Sequence, residues 1–255
     1  MKISSIPLDK AVVDGPIDAF SHALLGDSPS LAEVLEYLAS GRAADPRYRY
    51  LCTLDDAGQC RYTSMHASDD ARIALYEDEE PATPEDALAA RERSLAHVIA
   101  QLEHSSHRLE WTALAGTLLC NDADIEALVA ANAAPDLIVD AVVCVQQVPV
   151  DRDDLLIAAL PNGYFSADWD LFQNHALIRH LQERYDYHLF GLGASWLGFQ
   201  RDSAPSPVQA NALVADLQRV YAAGTDVTWS QLATTLATRT TLLLGYTEDF
   251  SEQLP

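Results

Sequence analysis

The chain has 255 residues, of which 49% are hydrophobic and 21% charged, and its 38 acidic side chains against 16 basic ones leave a formal net charge of −22. Such a length and apolar fraction argue against wholesale disorder and imply a sizeable core. The charge disfavours ordinary binding to a phosphate backbone and favours a basic partner.

The N-terminus lacks an apolar run of signal-peptide length. No stretch is long and apolar enough to span a bilayer. The expected location is therefore the cytoplasm, with no membrane contact. Two lysines against fourteen arginines fit a GC-rich, bacterial coding sequence.

Two helices are expected first, over Pro16 to Leu25 and over Ser30 to Ala39. The second opens with Ser30 three residues before Glu33, a capping-box spacing. Arg47 to Leu54 alternates and reads as a strand. Asp55-Asp56-Ala57-Gly58 reads as a turn, and Gln59 to Met65 as the returning strand of a hairpin. That hairpin would carry Cys52 and Cys60 on its two arms. It would also array Arg47-Tyr48-Arg49-Tyr50 beside Arg61-Tyr62, with one solvated and one packed face.

A short strand near Ile73 to Tyr76 precedes the acidic run Glu77, Asp78, Glu79 and Glu80. The run reads as a solvated loop or linker, and alternatively as a docking patch for a basic surface. A long helix follows, from Glu85 to about His104, with Pro84 suited to its first turn.

Beyond it the pattern predicts a strand at Arg108 to Cys120 and a helix capped by Asn121-Asp122 and running to Ala133. A hairpin of Ile138 to Val148 with Leu155 to Leu160 comes next. Then follow a helix from Trp169 to Tyr185, a strand bent at its glycines from Tyr187 to Gln200, helices at Pro207 to Tyr221 and Trp229 to Ala237, and a last strand at Thr240 to Tyr246. The tail Glu248 to Pro255 is expected to be loose. Together these elements predict an α+β fold with a mixed, largely antiparallel sheet flanked by amphipathic helices. An N-terminal subdomain over 1–105 and a C-terminal one over 106–255 are expected, unless they form one continuous domain.

No intact catalytic signature emerges. Gly191-Leu192-Gly193-Ala194-Ser195-Trp196-Leu197-Gly198 fails as a dinucleotide fingerprint because Trp196 stands at the third glycine position. It fails as a nucleophile elbow because Leu197 replaces the closing glycine. His175 and His180 are five apart on one helix and point away from each other. His104 and His107 lack a third ligand at a telling spacing, and no C-x-x-C pair occurs. Neither a metal nor a cofactor is expected.

The stretch 161–175 offers the densest polar chemistry. It joins an apolar segment to a helix start, a place where α/β sheets often hold ligands. Asn162, Tyr164 and Ser166 are the candidate binding groups there, and Asp168, Asp170 and His175 the candidate catalytic ones. The same residues also serve as turn and cap signals. The preferred reading is an acidic interaction protein, an immunity- or antitoxin-like antagonist of a basic protein partner. The alternative is an enzyme acting on a small polar molecule at 162–175.

Overall fold

The computed structural model describes residues 1–7, 19–75 and 81–254. Among them, seven strands form one mixed sheet: β1 (Lys2–Ser5), β2 (Ser21–Gly26), β3 (Arg49–Thr53), β4 (Val143–Val148), β5 (His188–Leu192), β6 (Trp196–Gln200) and β7 (Thr241–Gly245). The spatial order is β1-β2-β4-β3-β5-β6-β7. Every neighbouring pair is antiparallel except β3 and β5, which run parallel. With helices α1 (Leu31–Ala44), α2 (Ala57–Ala67), α3 (Pro84–Glu103), α4 (Asp122–Ala133), α5 (Leu171–Tyr185), α6 (Pro207–Tyr221) and α7 (Asp226–Leu236), the fold is α+β. The sheet draws strands from both sides of residue 105. No helix among the described residues is long and apolar enough to cross a membrane.

Helix starts follow the chemistry of their caps. Ser30 and Glu33 form the reciprocal capping box of α1, and Asn121 with Asp124 does the same for α4. Pro84 occupies the first turn of α3, behind the Thr83 cap. Each such cap contributes about 1 kcal/mol.

Several expected elements take another form, each for a physical reason. The segment ending at Leu25 is a strand over its described part, not a helix. Its burial alternates residue by residue from Ser21 to Gly26, and it pairs with both β1 and β4. Residues 57–67 are helical and do not return as a strand. Asp56 sits in the left-handed region (φ 33°) and caps α2 by accepting the Gln59 N–H. Both edges of β3 are already taken by the distant strands β4 and β5, so a local hairpin has no free edge to join. Cys60, Arg61 and Tyr62 therefore lie on a helix, and no paired-strand patch with Arg47 to Tyr50 forms.

Ile73 lies in a turn, and Tyr76 falls outside the described residues. Arg108 to Cys120 is irregular around a 3-10 turn at Trp111–Leu114, with Leu114 and Leu118 buried. The apolar run 155–160 is also a 3-10 segment, Asp153–Ala159, buried all round. Periodicity cannot separate such a run from a core strand. The bent strand is in fact a hairpin, β5 and β6, closed at Gly193 to Ser195.

The tail is anchored. Phe250 is fully buried, edge-on to Trp196 with ring centroids 5.1 Å apart. Burying one such ring stabilises by about 1.5–3 kcal/mol.

Candidate functional site

The loop after the 3-10 segment brings its polar groups to different places. Asn162 is fully buried and donates to the Gly193 carbonyl at 3.4 Å, while its own Oδ1 accepts the Gly163 N–H. Tyr164 and Ser166 are exposed, and the Tyr164 ring lies 4.9 Å from that of His66. Asp170 is the N-cap of α5, in a capping box with Gln173, and also binds Arg72 at 2.7 Å. The helix thus begins after Asp170, two residues later than expected. Glu77, Asp78, Glu79 and Glu80 lie outside the described residues.

His175 and Asp168 belong to two separate environments. His175 is buried, and its Nε2 sits 3.3 Å from Asp154 Oδ2. Arg152 holds the same carboxylate with two hydrogen bonds, of 3.0 and 2.9 Å, and reaches Glu103 at 2.9 Å. Burial opposes the charge on Asp154. The hydrogen bonds from His175 and Arg152 outweigh it and hold the carboxyl well below the usual range. A cavity of about 310 Å³ opens beside this group, lined also by Arg108, Arg179, Gln182 and Glu183. His175, Arg179 and Gln182 lie at i, i+4 and i+7 and share one face of α5. That spacing is the sequence signal that would have pointed to Arg179 and Gln182.

Asp168 lies instead near the C-terminal segment. Its Oδ1 accepts the Glu248 N–H at 3.3 Å. Burial pushes its carboxyl up to about 6, against the lowering pull of the Glu248 N–H bond, and the Glu248 charge adds a smaller upward push. Close by in sequence, Asp249 accepts from Asn121, and Asp124 from Ser251, which ties α4 to the same C-terminal residues. Asp124 and Asp249 both add to the upward pull that burial exerts on the Cys120 thiol. No Lys or Arg occurs between Arg108 and Arg152 or after Arg239. Carboxylates consequently gather here without an ion-paired cation among the described residues. That gap in the basic residues was readable in the sequence.

A third polar group sits where the parallel strands end. Asp55 is buried, its Oδ2 accepts the Ser195 N–H at 2.9 Å, and burial raises its carboxyl to about 7. Cys60 lies against it, its thiol pushed up by burial and by the Asp55 charge. No cluster of three or more metal-ligating side chains occurs among the described residues. All four cysteines are free.

No protein-family model, no curated protein and no solved structure matches the chain.

Proposed function

We propose that this protein docks a basic protein partner through its anionic exterior, as an immunity- or antitoxin-like antagonist. The observation that carries the reading is Asp168 beside Glu248. Two carboxylates stand together near Asp249, in a chain of net charge −22, and no basic side chain is ion-paired to either of them among the described residues. A cationic partner would relieve the mutual repulsion that helps to raise Asp168. It would also be drawn in by the long-range field, which raises encounter rates by about 10- to 1000-fold at low salt.

The test compares two variants of the full chain. One neutralises the cluster as Asp168→Asn, Glu248→Gln and Asp249→Asn. The other removes the same charge elsewhere as Asp27→Asn, Glu36→Gln and Asp202→Asn. The reading expects a stoichiometric basic partner to be retained by the second variant and lost by the first. Equal retention by both removes it.

A second reading, an enzyme acting on a small polar molecule, is favoured by one observation. The His175–Asp154 pair faces a cavity of about 310 Å³, within the range of small-ligand sites.

A further inference from the structure

We infer that the cavity between α5 and the Arg152–Asp154 turn binds a small phosphate monoester that also carries a hydroxyl group. The inference rests on the second reading for the existence of a ligand cavity, and it requires no turnover.

Arg179 is the first ground. It is only 8% exposed, on the inward face of α5, and lines the cavity. One amino group donates to the Leu109 carbonyl at 2.7 Å, but its Nε–H has no hydrogen-bond partner among the described residues. No carboxylate there comes within ion-pair distance of it. Glu183, Glu110 and Asp154 act on it only from beyond that distance and do not outweigh burial, so the cation stays disfavoured and its cost falls when an anion arrives.

The second ground is how the neighbouring charges are committed. Arg152 is bound to Asp154 and Glu103, so those three groups largely satisfy one another. That leaves Arg108, Arg179 and the exposed Glu183 on the wall. Arg108 lies near enough for its charge to add to the desolvation that disfavours the Arg179 cation. Two guanidiniums that repel each other across a cavity form a receptor for an oxyanion, which both can bind through fork-shaped donors. A dianionic phosphate matches the pair better than a single carboxylate.

Gln182 supplies the third ground. Its Oε1 is buried and accepts no hydrogen bond among the described residues, and it lies one turn beyond Arg179 on the same face. Both atoms are closed to water, so a ligand with an anionic head and a donor beside it would reach them after the two side chains turn toward the cavity they line. The −22 charge does not forbid this, because at physiological salt distant carboxylates are screened beyond about 8 Å.

The probe is glycerol phosphate, compared with glycerol, with inorganic phosphate and with sodium chloride at matched ionic strength. Nitrogen–proton NMR follows the Arg179 Nε–Hε signal, and the unfolding temperature is measured in parallel. Glycerol phosphate is expected to shift that signal saturably and to raise the unfolding temperature. Arg108→Gln, at an exposed position, should weaken binding by about tenfold, the loss of one charge-assisted contact. Gln182→Leu should erase the preference for glycerol phosphate over inorganic phosphate. Arg179→Gln should abolish the response, and if it fails to fold the other two variants decide.

An equal shift in chloride would mean an adventitious ion only and overturns the inference. So does unchanged affinity in Arg108→Gln, or no saturable shift in the wild type. Saturable binding of glycerol phosphate upholds the inference whether or not the enzyme reading stands. Stabilisation by glycerol but not by its phosphate would keep the enzyme reading and sink this inference.

Discussion

The Asp55 carboxylate accepts the Ser195 backbone N–H at 2.9 Å and so ties the end of β3 to the turn between β5 and β6. The Ala194 N–H donates to the Asp55 carbonyl at 3.1 Å, giving the junction a second bond. The approach is close enough that a Cβ on Gly193 would overlap Asp55 Oδ1, so only glycine fits there. The one parallel pairing in the sheet is secured at this point.

Asp55 should make stability fall as pH rises. Its folded carboxyl is raised to about 7 by burial, against about 3.9 in an unfolded chain. Between those values the folded state holds a proton that the unfolded state releases. The contribution is therefore fully present below about pH 4 and is lost as pH passes through 7. Asp55→Asn keeps an acceptor for Ser195 and should remove most of this slope. Urea unfolding at pH 5 and pH 8 checks it. The variant should gain on the wild type by roughly 2–3 kcal/mol between the two pH values, about 1.4 kcal/mol for each pH unit between 5 and 7.

Gly193→Ala should cost about 3 kcal/mol or more, because the new methyl group meets both the Asp55 side chain and its backbone nitrogen. Urea midpoints at pH 7 measure this. A loss under about 0.5 kcal/mol would show that the junction yields easily.

Asp154 has the opposite sign. His175 and Arg152 hold its carboxyl down, so its contribution is present at neutral pH and is lost as the solution is acidified through the folded titration. Asp154→Asn takes the bidentate partner from Arg152, which stays half exposed and bound to Glu103, and should destabilise by about 1–2 kcal/mol at pH 7. The gap between variant and wild type should narrow steadily below about pH 4. Thermal unfolding over pH 3–7 reads both effects.

Glu248→Gln should lower the titration midpoint of Asp168. Burial remains as the main upward influence, so the midpoint should move down from about 6 without reaching the ordinary carboxylate range. Carbon-detected NMR of the Asp168 carboxyl follows it. An unmoved midpoint would mean that the two carboxylates do not sense each other.

Several helix starts set within four residues were legible in the sequence, but the equally local caps at Asp56 and Asp170 were not. The Ser30, Asn121 and Pro84 helix starts belong to the legible class, and β3 was found as a strand, although it is buried from Tyr50 to Thr53 and has no solvated face. Sheet partners were not legible, because β3 takes both of its neighbours from more than ninety residues away. Leu155 to Leu160 was misread because a run buried on every side has no period. At the candidate site the polar stretch 161–175 was visible, but its members diverge. Asn162 turns toward Gly193, Asp168 toward Glu248 and His175 toward Asp154. Arg179 went unnoticed because one arginine on a helix ordinarily reads as a solvated side chain.

The salt dependence of partner binding tests the docking proposal most directly. Isothermal titration of the full chain with its captured basic partner, from 50 to 300 mM sodium chloride, gives the slope of log affinity against log salt. The account predicts a steep weakening with salt that flattens when Asp168, Glu248 and Asp249 are neutralised together. An affinity indifferent to both salt and those three substitutions would contradict it.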